Sequence, residues 1–187
     1  MAARNNREEF QKQKLDLDNN DYYVNREISW LDFNYRVLSE ALDKENPLFE
    51  RINFLSITAS NLDEFFMIRV ASLKDMVNAR YNKRDVSGRT PKEQLKDISI
   101  KTHELVNKQY EIYNDFLPLL EENNIIVVKS HEDLTKKQKK YVDEYFKDEV
   151  YPVLTPMAVD SSRPFPLIRN NSLNICALLY DKDSETA

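Results

Sequence analysis

The side chains whose types and spacing could do chemistry here are few: two histidines, one cysteine, a pair of adjacent acids, a lysine run and an isolated arginine. His103 falls in the middle of a long helical stretch and His131 in a polar loop, which read as a solvent-facing position and a turn. Asp63 and Glu64 have the types of metal ligands or an acid/base pair, but adjacent acids at a helix start more often serve the helix dipole. Arg69 sits among apolar residues and could be one half of a buried ion pair. Cys176 has no partner within the chain and reads as a small buried apolar residue in a reducing cytosol. Gly88 is the single glycine among 187 residues, against a usual share of about 7%. A P-loop or a dinucleotide fingerprint needs several glycines so that backbone amides can approach phosphates, so both are excluded. Any nucleotide must be held by side chains and helix ends.

The elements that would position these groups begin with helices. Ser29 and Asp32 look like a capping pair, and Trp30, Phe33, Val37, Leu38 and Ala41 repeat at helical spacing. Asn46-Pro47 closes that helix or opens the next, a short one over 48–57. A third helix is expected to open at Ser60, with Ser60 as cap and Asp63 completing it. Residues 80–90 read as a loop around Gly88. Thr90-Pro91-Lys92-Glu93 is a strong start signal, and apolar residues then run at three- and four-residue steps from Leu95 to about Asn124, with a bend expected near Pro118. Helices joined by short loops imply an antiparallel bundle.

The pattern changes at Ile125. Ile125 to Val128 is a β-branched run that predicts a strand, followed by a helix from Thr135 to Val150 with Tyr141, Val142, Tyr145 and Phe146 facing inward. After a proline-rich stretch a second strand is expected over 173–180, ahead of a hairpin-like Asp181-Lys182-Asp183. Strand, helix, strand points to an α/β domain, and two strands with one helix cannot cover a sheet. The expected class is therefore α+β: an N-terminal helical domain over 1–124 and the beginning of an incomplete α/β domain over 125–187.

Composition bounds the rest. Apolar residues make up 41% and charged residues 32%, the balance of a globular chain. The net charge of −5 argues against wrapping nucleic acid. No apolar run approaches the roughly 20 residues of a membrane span, and residues 1–23 carry no apolar stretch suited to secretion, so a cytoplasmic location is expected.

Asn25-Arg26-Glu27-Ile28-Ser29-Trp30-Leu31-Asp32-Phe33-Asn34 resembles the opening signature of the polyphosphate kinases, which build polyphosphate from ATP. Pro47-Leu48-Phe49-Glu50-Arg51 and Ser60-Asn61-Leu62-Asp63-Glu64-Phe65-Phe66 follow in the family's order, and Arg163-Pro164-Phe165-Pro166 with Ser172-Leu173-Asn174 resembles a later block. The resemblance implies a helical N-terminal domain, an α/β head domain and two further catalytic domains, one carrying a histidine that is phosphorylated during transfer. Neither His103 nor His131 lies in such a block, so the fragment is expected to be inactive alone. Mg2+ is implied for the full-length enzyme, with no ligands in this stretch, and so are homo-oligomerisation and ATP and polyphosphate as partners.

One functional position carries over: Asn61, implied to contact ATP. An amide offers donors and an acceptor that match an adenine edge, and the first turn of a helix is a rigid mount; the bland reading is a residue that caps or packs that helix start. Lys136, Lys137, Lys139 and Lys140 would suit a polyphosphate chain, although a solvated helix face accounts for them equally and Asp143, Glu144, Asp148 and Glu149 dilute the charge. For Arg69 the resemblance adds a place lining the nucleotide tunnel, and both readings stay open. The competing view of the whole chain is a helical dimerisation or interaction module with no nucleotide contact.

Overall fold

A computed structural model describes residues 16–179. The chain divides between Val127 and Val128 into two compact units. In the first, α1 spans Arg26–Glu40. It starts three residues ahead of the expected Ser29, because Asn25 is the cap: its side-chain oxygen accepts from the backbone N–H groups of Glu27 and Ile28. α2 spans Leu48–Phe65 and runs without a break through the expected start at Ser60. Thr58 is fully buried there and donates its hydroxyl to the Phe54 carbonyl at 2.9 Å. Satisfied one turn back, it sits inside the helix although its type suits a cap. α2 then widens into a π turn at Phe66–Val70 and continues as α3, Ala71–Asn78.

The loop that follows ends at Thr90. Thr90 and Glu93 form the expected capping box, with Pro91 at the first helical position, and open the 32-residue α4, Pro91–Glu122. Pro118 lies inside it. α1 packs against both α2 and α4, and α3 packs against α4. Side-chain pairs fix the directions. Glu27 lies near Arg69 and Ala41 near Arg51, so α2 is antiparallel to α1, whereas Asp32 pairs with Lys101 in the first half of α4. The core between them joins Leu31 and Leu38 to Phe65, Val70 and Leu73 and to Ile98, Leu105, Ile112 and Phe116. Trp30 stacks on Phe65 with ring centroids 4.5 Å apart, a favourable aromatic geometry beyond its area alone.

The second unit holds a 3-10 turn at His131–Asp133, then α5, Lys136–Tyr145, a π turn at Phe146–Val150 and a 3-10 turn at Tyr151–Val153. α5 opens on a second capping box, Thr135 with Gln138. The expected inward face is not buried: Tyr141, Val142, Tyr145 and Phe146 are all exposed. No strand forms among the described residues; residues 125–128 and 173–179 are irregular and largely exposed, and the sole pairing is an antiparallel bridge between Asp160 and Arg163. A strand is held by hydrogen bonds to a neighbouring strand, and among the described residues neither segment pairs with one, so β-branched composition alone does not make them strands. Cys176 is likewise exposed and not buried, since the segment around it joins no core. The expected end of the second strand at Tyr180 and the turn at Asp181–Asp183 lie outside the described residues.

Candidate functional site

A polar seam runs between α1 and α2. Asn34 is completely buried, at 0% exposure. Its amide donates to the Thr58 carbonyl at 3.0 Å, and its side-chain oxygen accepts from the Asn61 amide at 3.1 Å. Asn61 is therefore inside a helix and not in a first turn, which corrects both the mount and the capping role expected of it. It is half-buried, and within the described residues its amide makes only the bond to Asn34. Its second amide N–H and its side-chain oxygen make no bond to another described side chain. Asn34, the residue that orients Asn61, was visible in sequence only as the end of the first family block; an asparagine on the core side of an amphipathic helix is the signal that could have found it.

Two turns closer to the start of α1, Glu27 is buried. Its Oε1 accepts from Arg26 Nε and Nη2 at 3.0 and 2.6 Å, while Arg69 Nη1 stands 3.7 Å away. Its Oε2 is buried without a hydrogen-bond partner among the described residues. Arg69 thus lies beside a buried carboxylate, with its own side chain 38% exposed. Charge neutralisation at a buried acid explains the proximity, because an unpaired carboxylate in such a place is costly.

The cap of α1 is tied to the loop ahead of α4. Asn25 donates to Asp85 Oδ2 at 2.7 Å, and Asp85 Oδ1 accepts from the N–H groups of Ser87 and Arg89 and from the Ser87 hydroxyl. Burial pushes the Asp85 carboxyl up, but hydrogen bonds from Arg89, Ser87 and Asn25 together hold it below the ordinary carboxylate range. Gly88 closes this loop at φ +78, where a side chain would be strained and would meet Asn20 at 2.9 Å.

The remaining candidates are not drawn into this region. Asp63 and Glu64 are exposed in the last turn of α2, so they are not dipole partners at a helix start. No group of three or more His, Cys, Asp or Glu able to hold a metal occurs among the described residues. The exposed His103 donates from Nδ1 to the Ser99 carbonyl at 2.6 Å. His131 Nε2 lies 3.0 Å from Asp143 Oδ1, and Lys139 and Lys140 pair with Glu132 and Glu144. An open groove of about 390 Å³ between α1 and α4 is lined by Asp32, Tyr35, Lys101 and Lys108, and neither Asn61 nor Arg69 reaches it. No helix of the described residues is long and apolar enough to cross a membrane.

Residues 23–128 match the family described as polyphosphate kinase N-terminal domain. The chain belongs to the polyphosphate kinase family. Residues 137–187 match the polyphosphate kinase middle domain. The chain is 57% identical to a polyphosphate kinase of Lactiplantibacillus plantarum over 160 residues, 85% of this chain and 22% of that protein. It is 46% identical over 181 residues to the polyphosphate kinase of Halalkalibacterium halodurans, covering 96% of this chain and 26% of that protein. The Synechocystis polyphosphate kinase is 45% identical over 171 residues, 91% of this chain and 24% of that one. The chain thus spans about a quarter of the length of the curated polyphosphate kinases it matches. No solved structure matches it.

Proposed function

We propose that this chain is the N-terminal part of an enzyme that transfers the terminal phosphate of ATP to polyphosphate, and that its helical unit contributes Asn61 to nucleotide binding. The observation that carries this is the state of the Asn61 amide: oriented by a buried asparagine, half-exposed, and with a donor and an acceptor still to spend. That is the complement of an adenine edge, and it lies on a rigid helix. In this reading the second unit begins an α/β head domain whose sheet is completed by chain beyond these residues. The phosphorylated histidine and the groups that hold Mg2+ belong to further domains, and the helical unit also contributes subunit contacts in a cytoplasmic homo-oligomer.

The test is Asn61→Ala in the full-length enzyme, with melting temperature and ATP kinetics measured on the same protein. A base contact remote from the transferred phosphate acts as uniform binding, so KM for ATP should rise with little change in kcat. One neutral hydrogen bond, worth about 0.5–1.5 kcal/mol, corresponds to roughly two- to tenfold. Because Asn34 loses its partner, the melting temperature should also fall. Asn34→Ala removes that bond and the one to the Thr58 carbonyl while keeping the Asn61 amide itself, so it should lower the melting temperature with a smaller rise in KM. A drop in melting temperature with unchanged KM in Asn61→Ala would show that Asn61 is purely structural.

A further inference from the structure

We propose that Arg69 is a phosphate-binding residue, steadied by the buried Glu27 and brought into line with Asn61 by the π turn of α2. The inference rests on the reading that Asn61 faces bound nucleotide, and it adds a site for the phosphate chain. Three observations carry it. The first is register. Glu27 and Asn34 are seven positions apart on α1, almost two full helical turns, so they share a face. Their partners on the antiparallel helix, Arg69 and Asn61, are eight positions apart. In an unbroken α-helix eight residues would leave Arg69 about 80° round from Asn61. The π turn at Phe66–Val70 accommodates one extra residue, so that eight positions act nearly as seven and Arg69 returns to the seam.

The second observation is the unspent guanidinium. At 3.7 Å the approach of Arg69 to Glu27 is too long for a hydrogen bond, and Glu27 Oε1 already accepts twice from Arg26. Arg69 makes no side-chain hydrogen bond to another described residue, and its side chain remains 38% exposed. A planar fork of five donors, charged and partly open, is suited to a phosphate oxyanion in a way that a lysine is not. Glu27 attracts that fork without occupying it, while Arg26 keeps the local balance of charge positive. The third observation is reach. Those eight positions, equivalent to about seven α-helical steps of 1.5 Å, place the two side chains about 10 Å apart along the helix, the scale on which a nucleotide extends from its base along its phosphates. The shared chemistry is a phosphate chain, and both ATP and polyphosphate supply one.

The experiment uses the full-length enzyme carrying Arg69→Ala, Arg69→Lys or Asn61→Ala, each with its melting temperature measured. KM for ATP is taken in the synthetic direction, and KM for polyphosphate with ADP in the reverse. Arg69→Ala should raise one of these about tenfold or more, with kcat changed less, and the substrate affected identifies the source of the phosphates. Arg69→Lys should recover part of the loss, because it keeps the charge and loses the fork. Should the alanine variant fail to fold, Arg69→Gln is read in its place. Both KM values unchanged in the Arg69 variants, whatever happens to melting temperature, would overturn the proposal. If Asn61→Ala still raises KM for ATP in that case, the nucleotide reading survives alone. A KM increase for Arg69→Ala without one for Asn61→Ala would keep the phosphate contact and remove the base contact.

Discussion

α4 and α5 begin in the same way and end up differently. Each opens on a threonine whose hydroxyl accepts from the N–H three residues on, answered by a Glu93 or Gln138 side chain reaching back to the threonine N–H. Along α4, Ile98, Leu105, Ile112, Phe116 and Leu120 are then buried one after another, whereas α5 buries no residue at all. The capping box is a local device that can open a helix without tertiary neighbours. Burial requires neighbours, which α4 has in α1, α2 and α3. The lesson is that a start signal says where a helix begins and nothing about how firmly it is held.

The largest way to break this comparison is to cut one large side chain from each helix. Phe116→Ala removes a ring that is 1% exposed and lies 5.1 Å from the Arg51 guanidinium carbon. It should lower unfolding free energy by about 3–5 kcal/mol, read by denaturant titration. Tyr141→Ala, at a ring 68% exposed, should change it by less than about 0.5 kcal/mol. Similar losses for the two would mean that α5 is packed after all.

The caps offer a finer test. Thr90→Ala should cost about 1 kcal/mol of global stability. Thr135→Ala should remove a similar local energy, yet show as a loss of helical circular dichroism in α5 without moving the main unfolding transition. A shift of that transition by Thr135→Ala would join the two units into one cooperative fold.

The smallest expected effect concerns Asp85, which ties the α4 loop to the cap of α1. Burial raises its pKa, and the hydrogen bonds from Arg89, Ser87 and Asn25 more than offset this, so the folded value lies below the ordinary 3.8. A depressed carboxylate contributes stability that is complete above the unfolded pKa and lost as pH falls through the folded one. Acid titration should therefore show a stability loss beginning below about pH 4, part of which disappears in Asp85→Asn. An unchanged acid limb in that variant would remove Asp85 as its source.

Much of the first unit was legible in the amino-acid order. Thr90-Pro91-Lys92-Glu93 announced α4, apolar spacing outlined α1 and α4, and the single glycine ruled out phosphate-binding loops. Asn61 was legible only through the resemblance of its block to a family. The cap at Asn25, the unbroken run through Ser60, the buried Asn34 and the pairing of Glu27 with Arg69 were not. The expected strands were likewise read from composition where pairing decides. Sequence by itself settled the Thr90 start and the apolar faces of α1 and α4, because there the groups lie three or four residues apart and are brought together by the helix they belong to, although it missed the equally local cap at Asn25. The tertiary structure decided the rest. Asn34 finds its partners 24 and 27 positions away and Asn25 finds Asp85 at 60, and a polar side chain is tolerated in the interior only where such distant groups satisfy it.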